Sequence, residues 1–272
     1  MIKLNGIVIK QNHFPDGSLL MKLDPQSDEF EMDRGAIIID WYYENDSELF
    51  TLICLKRHLD RHFTNPSIVL YMPYIPHARM DRVKTDEDVF TLKYFCEIIN
   101  SLHFDIIHIY DAHSNVSLAL LNNVVQLNVN GHIRETSQFI CDERGEYPIF
   151  YFPDEGAMKR YSENASGEPY AFGIKKRDWE TGQIQGIQIQ NEEVVKEQDI
   201  LIVDDICSKG GTFYHSAKAL KAAGAKNIYL YVTHCENTIL EGELLTSGLI
   251  EKVYTTNSIF TKEHEKIEVM EL

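Results

Sequence analysis

The stretch Ile200 to Thr212, ILIVDDICSKGGT, sets two adjacent acids and a glycine-containing turn directly after an apolar strand, with a helix starting next. In an open α/β sheet, ligands collect beyond the carboxyl ends of strands, and a turn entering a helix presents backbone N–H groups to an anion. Asp204 and Asp205 at that edge can accept hydrogen bonds from ribose hydroxyls. Gly210 and Gly211 let the main chain approach a phosphate, which the backbone from Ser208 and Lys209 to Thr212 would grip. Thr212 is the expected cap of a helix running through Ala217, Leu220 and Ala223 and stopping at Gly224. Taken alone, a strand followed by two acids reads as a helix cap with a solvated carboxylate. The whole segment reads as a site for a phosphorylated sugar.

Four further groups of residues could carry chemistry. In Tyr71 to Lys84, YMPYIPHARMDRVK, Pro73 and Pro76 forbid a regular helix and hold an extended loop ending in Arg79, Asp81, Arg82 and Lys84. In an acidic chain such local cations can bind a triphosphate, since Arg offers a planar fork of donors. Asp111 and His113 follow the apolar run 106–110, and Asp154 with Gly156 follows another apolar run. Mg²⁺ prefers oxygen ligands and keeps several waters, so His113 would act through water or as a weak ligand, while Asp154 read by itself is a helix cap. Lys175, Lys176 and Arg177 open a Gln-rich segment, 175–190, that contains Gly182 and Gly186 and reads as a mobile hairpin or loop.

Apolar runs bounded by polar turns recur with amphipathic stretches between them, which is the pattern of βα units and a parallel sheet. Strands are expected at 36–41, 67–71, 106–110, 148–152, 200–204 and 227–232. A helix is expected around Glu48 to Leu59, with Asn45, Asp46 and Ser47 as candidate caps. Periodicity fades over 122–141, which places a junction near Asn130 and gives domains 1–130 and 131–272. The runs 106–111 and 200–205 echo each other weakly, as a duplicated architecture would.

The 272 residues, 44% hydrophobic, suffice for two cores. A formal net charge of −16 argues against nonspecific binding of nucleic acid or anionic lipid, so a polyanionic substrate must meet local cations or metal. No apolar run approaches the roughly 18 to 20 residues that span a bilayer, and the expectation is a cytoplasmic, soluble protein. The five cysteines form no CxxC pair and suggest neither a zinc site nor a disulfide framework. Neither a Walker A pattern nor a GxGxxG occurs, so any use of ATP needs another phosphate cradle.

The segment 200–212, continued by GAKNIYLYVTH, resembles the phosphoribosyl-diphosphate binding motif of type I phosphoribosyltransferases and of ribose-phosphate diphosphokinases. YMPYIPHARMDR is similar to the second family's YxPYxRQDR, DAHS to its DLH, PDEG to its PDxG, Lys175 and Arg177 to its K-x-R pair, and Phe14 to Gly17 to its FxDGE. The resemblance implies two tandem phosphoribosyltransferase-like α/β domains, each with a mostly parallel sheet flanked by helices, in a homo-oligomer, dimer or hexamer. It implies a Mg²⁺-dependent transfer of the diphosphate of ATP to ribose 5-phosphate, with Lys175 and Arg177 catalytic. Phe14, Asp16, Arg79, Asp81 and Arg82 would take ATP, Asp204, Asp205 and 208–212 the sugar phosphate, and His113 and Asp154 the metal.

The departures matter. Ser208 and Lys209 stand where most bacterial members have Asp and Thr, two changes of one electrostatic sign that favour a more anionic sugar such as ADP-ribose, as in NAD salvage. Ser18 and Met80 replace a Glu and a Gln of the family. A phosphoribosyltransferase would leave Phe14, Arg79 and His113 without work, and a non-catalytic regulatory homologue would lack the pair that Lys175 and Arg177 supply.

Overall fold

The computed structural model describes residues 1–23, 35–177 and 184–272, without the side chains of 175–177, 184 and 185. They form two compact units, Met1–Leu127 and Asn128–Leu272. No helix among them is long and apolar enough to cross a membrane, and none of the five cysteines forms a disulfide.

The first unit contains strands β1 (Ile2–Leu4), β2 (Ile7–Val8), β3 (Asn12–His13), β4 (Leu19–Leu20), β5 (Ala36–Trp41), β6 (Ser67–Tyr71), β7 (Ile106–Tyr110) and β8 (Val124–Leu127), with helices α1 (Ser47–His62), α2 (Thr91–Asn100) and α3 (Asn115–Leu120). A six-stranded sheet runs β2-β1-β5-β6-β7-β8, and β3 and β4 form a separate hairpin. From β5 to β8 every neighbour is parallel. In β5, Ile37, Ile39 and Trp41 are fully buried and pack with Leu52, Leu55 and Leu59 of α1 in one core, as a period of two set against a helical stripe requires. At the start of α1, Asp46 stands at the cap position without a side-chain capping bond, while Asn45 Oδ1 accepts from Ser47 N at 3.1 Å.

The second unit contains β9 (Ile149–Phe152), β10 (Ala171–Arg177), β11 (Ile184–Gln190), β12 (Ile200–Cys207), β13 (Ile228–Cys235), β14 (Lys252–Thr256) and β15 (Ile267–Met270), with α4 (Asn130–Arg144), α5 (Glu155–Tyr161) and α6 (Gly211–Ala222). Its seven-stranded sheet runs β11-β10-β9-β12-β13-β14-β15. Only the β10–β11 pair is antiparallel. All eight residues of β13 are buried, the continuous burial of a central strand covered on both faces. Both units thus carry a largely parallel sheet with helices.

Three expectations are corrected. Strand β12 continues to Cys207, because its ladder with β13 runs on to the pair Cys207 and Cys235, so the two acids lie inside the strand. The segment 122–141 does not lack structure: it holds β8 and most of α4, whose buried positions Ile133, Thr136, Ser137 and Ile140 make a stripe half polar, while the division between the two units falls within it, at Leu127 and Asn128. Thr212 does not cap α6. Gly210 holds the cap position in the left-handed region, φ +78°, with no side-chain cap.

Candidate active site

Strands β9, β12 and β13 are neighbours, and all run parallel, so their carboxyl ends share one edge. There stand Asp154 after β9, Asp204 to Gly210 along and after β12, and Glu236 after β13. Asp154 is the cap of α5, its Oδ1 accepting from Gly156 N at 3.0 Å and Ala157 N at 3.1 Å. Asp205 is buried, and its Oδ2 lies 3.3 Å from Arg160 Nη1 of α5. Asp204 Oδ1 accepts from Asp205 N at 2.9 Å. Burial, followed by the Asp205 charge and, more weakly, that of Asp154, pushes the Asp204 carboxyl well above the usual carboxylate range. This edge therefore disfavours charge on Asp204 until a cation or a donor arrives.

Beyond the acids, Ser208 to Gly210 turn the chain into α6. The first N–H groups of a helix have no intrahelical acceptor, and the helix dipole favours an anion there. A Cβ on Gly211 would meet nothing within 4 Å, whereas one on Gly210 would sit 2.9 Å from Leu244 Cδ2. The turn is braced from the next loop. Ser208 Oγ donates to Glu236 Oε2 at 2.8 Å, which also accepts from Thr238 Oγ1 at 2.9 Å. Lys209 Nζ lies 3.0 Å from Glu241 Oε2. A Cβ on Gly242 would fall 1.9 Å from the Lys209 carbonyl oxygen, so the two backbones touch. Lys209 is therefore an already paired cation.

Lys175 and Arg177 lie on β10, opposite Ile187 and Ile184 of β11, with a register shift between Lys176 and Arg177. Residues 175–177 and 184–190 are thus paired antiparallel strands; residues 178–183 and the Lys175 and Arg177 side chains lie outside the described residues. The root of the hairpin is tight: a Cβ on Gly173 would be 2.5 Å from Tyr151 Oη and 2.7 Å from the Pro153 carbonyl oxygen. Burial raises the Tyr151 phenol to about 12.

The first unit carries the other expected residues. Phe14 is 48% exposed, on the turn of the β3–β4 hairpin, where Gly17 N donates to Phe14 O at 2.8 Å. Asp16 Oδ1 accepts from Ser18 Oγ at 2.7 Å and Ser18 N at 2.9 Å. These bonds lower its pKa and engage it in its own turn. Arg79, Asp81 and Arg82 stand on the non-helical loop after β6, with Arg82 Nε 3.2 Å from Asp81 Oδ1. His113 is half-buried, two residues beyond Asp111, whose φ is +39°.

Among the described residues no group of three or more His, Cys, Asp or Glu side chains could hold a metal ion. Mg²⁺ needs less, since one or two carboxylates suffice when substrate phosphates and water complete its shell. Asp154 and Asp204, close enough for the one charge to act on the other, fit that hard-oxygen requirement.

Residues 164–244 match the phosphoribosyl transferase domain. Over 263 residues the chain is 26% identical to ribose-phosphate pyrophosphokinase of Thermococcus kodakarensis, spanning 95% of this chain and 88% of that protein. Against the enzyme of the same name from Pyrococcus abyssi, identity is 27% over 274 residues, spanning 98% and 89%. The chain is thus similar to ribose-phosphate pyrophosphokinases over nearly its whole length. The crystal structure of phosphoribosylpyrophosphate synthetase from Mycobacterium smegmatis has the same fold, with TM-score 0.76 and 17% identity over 97% of this chain and 86% of that one. At this edge, sequence reading missed Arg160, Glu236 and Glu241. Of these only Glu236 carried a signal, its place just beyond an apolar strand.

Proposed function

We propose that this protein is a Mg²⁺-dependent diphosphokinase that transfers the β,γ-diphosphate of ATP to the C1 hydroxyl of ribose 5-phosphate, releasing AMP. The carrying observation is the turn 208–211 at the carboxyl end of β12, with open space at Gly211 and the Asp204 and Asp205 pair beside it. In this reading Asp204 and Asp205 orient ribose hydroxyls, and backbone N–H groups from Ser208 to Thr212 hold the 5-phosphate. Lys175 and Arg177 neutralise charge on the transferring diphosphate. Phe14, Arg79, Arg82 and the neighbouring Asp16 and Asp81 serve ATP. The 1–130 part thus contributes the nucleotide contacts and the 131–272 part the sugar-phosphate contacts. Mg²⁺, held by Asp154 with His113 as an auxiliary, would supply charge neutralisation on the phosphates.

A second reading keeps this chemistry and replaces the acceptor with ADP-ribose, giving a precursor for NAD salvage. It draws on Lys209, which Glu241 already holds, so ribose 5-phosphate is the favoured acceptor. The test is AMP release by purified protein with ATP and Mg²⁺, comparing the two acceptors and identifying products by mass. Turnover of ribose 5-phosphate well above that of ADP-ribose supports the first reading, the reverse preference supports the second, and no AMP with either rejects both. The last outcome would favour a phosphoribosyltransferase or a non-catalytic regulatory homologue.

A further inference from the structure

The candidate active site lies beyond the carboxyl ends of β9, β12 and β13. At the amino end of β9 a second cavity, of about 620 Å³, is lined wholly by residues of the second unit. Its volume falls within the roughly 300 to 1,000 Å³ of small-ligand pockets. Pro148, Ile149, Phe150 and Pro169 give it an apolar wall. Tyr147 lines it too and is 61% exposed, yet its hydroxyl is fixed, donating to Gln138 Oε1 at 2.7 Å. Gln138 Nε2 donates in turn to Asp142 Oδ1 at 2.7 Å. An exposed ring pinned by its hydroxyl offers a rigid apolar surface for stacking.

Three polar side chains of the lining are left without partners. Asn164 is 6% exposed, and its Nδ2 donates to Asn130 Oδ1 and to Tyr161 O, both at 3.1 Å. A main-chain carbonyl only accepts, so the amide is held this way round. Asn164 Oδ1 is thereby buried with no donor among the described residues. Buried acceptors of that kind are rare in native proteins, and one beside a cavity calls for a ligand that donates a hydrogen bond. The charged residues of the lining are Arg134 and Glu168, both exposed, and neither forms an ion pair among the described residues. One cation and one anion sum to zero, which disfavours a phosphate and suits a molecule that carries both signs.

We propose that this cavity binds a free α-amino acid whose side chain is a heteroaromatic ring bearing an N–H, the class of tryptophan and histidine. Arg134 takes the carboxylate with its planar fork of donors, and Glu168 takes the ammonium. The ring lies against Tyr147 and the apolar wall, and Asn164 Oδ1 accepts its N–H. The proposal does not depend on the diphosphokinase reading. It does place the ligand close to the elements of the candidate active site. Asn164 Nδ2 bonds the carbonyl of Tyr161, the last residue of α5. Asp154 caps that helix, and Arg160 within it lies 3.3 Å from Asp205.

Titration calorimetry on the full chain, without ATP or sugar phosphate, tests this with L-tryptophan and L-histidine as probes. At least one should bind, and about fivefold or more tighter than L-phenylalanine, which suits the wall but brings no ring N–H. Arg134→Gln and Glu168→Gln should each weaken the bound probe by about fivefold or more, since each removes one charge-assisted hydrogen bond. Both positions are exposed, so the variants keep the fold, and a thermal scan checks that they do. The control Lys262→Gln, an exposed cation outside the cavity, should bind like the parent. Absence of heat from both probes at millimolar concentration, phenylalanine bound as tightly as either, or parent-like affinity in Arg134→Gln would each overturn the proposal.

Discussion

Ser208 Oγ and Glu236 Oε2 are joined by a 2.8 Å hydrogen bond that ties the turn after β12 to the end of β13. A carboxylate that the turn itself lacks reaches it from the neighbouring strand. Glu241 does the same for Lys209 at 3.0 Å. The charge around the candidate phosphate site is therefore not that of residues 204–212 alone, and the two departures that suggest a more anionic ligand are each answered by an acid from 236–241.

Glu236→Ala should loosen the turn without touching the reacting atoms. Losing a charge-assisted bond from Ser208 and a second from Thr238 is worth roughly 1.5 to 3 kcal/mol when the site is part-buried. The expectation is a rise in KM for ribose 5-phosphate of about 10-fold with kcat changed less than about threefold, and partial rescue by Glu236→Gln. Steady-state kinetics of the two variants decide it; an equal fall of kcat in both would place Glu236 in the chemistry instead.

Lys209 and Glu241 are 65% and 61% exposed, and exposed pairs contribute about 0 to 1 kcal/mol. Lys209→Thr should accordingly move the ratio of ribose 5-phosphate to ADP-ribose turnover by less than about fivefold. Glu241→Gln releases the cation and should tighten anionic acceptors by about two- to fivefold at low salt, an effect that fades as salt screens it. A tenfold shift of preference in Lys209→Thr would revive ADP-ribose as the acceptor.

The raised pKa of Asp204 makes a stability prediction of definite sign. A carboxyl whose folded pKa lies above its ordinary 3.8 holds a proton that the unfolded chain has released. Stability from this group is thus lost as pH rises from 3.8 toward the raised value. Asp204→Asn keeps an oxygen to accept from Asp205 N and removes the titration. It should raise the melting temperature at pH 7, while lowering activity at least about 100-fold. The melting-temperature gap to the parent should narrow as pH falls toward 4; a constant gap would reject the assignment.

Lys175→Ala should lower kcat by about 100-fold or more and leave binding of ribose 5-phosphate within about threefold, because a cation that stabilises the transferring diphosphate acts in the transition state. Calorimetric binding of the sugar phosphate beside steady-state kcat separates the two quantities. Equal losses in both would remove the catalytic role.

The expected strands at 36–41, 67–71 and 106–110 coincide with β5, β6 and β7, because each is a short apolar run closed by polar residues. Helix α4 was hidden because Thr136 and Ser137 take half of its buried face, leaving Ile133 and Ile140 too sparse to show a period. The residues 200–212 announced their chemistry through strand, acids and glycines in a row. The partners of Ser208 and Lys209 lie about 30 residues away in sequence, and only the β12–β13 register brings them together.

Gly242 tests how far that second layer positions the turn. Its φ is ordinary, so the cost of a side chain there is steric: a Cβ would lie 1.9 Å from the Lys209 carbonyl oxygen and 2.8 Å from the Lys209 carbonyl carbon. Those atoms are backbone and cannot rotate aside, so Gly242→Ala must push the turn and the 237–241 segment apart. Overpacking of this kind costs about 1 to 3 kcal/mol. That displacement would also strain the Ser208 to Glu236 bond and shift the N–H groups that enter α6. Gly211→Ala adds the same methyl at a position with nothing within 4 Å and should cost the fold little. Gly242→Ala is therefore expected to melt several degrees below Gly211→Ala in a thermal scan, and to lose ribose 5-phosphate affinity by about 10-fold or more. If both variants melt with the parent and Gly242→Ala binds sugar phosphate normally, the turn is not set by the segment behind it.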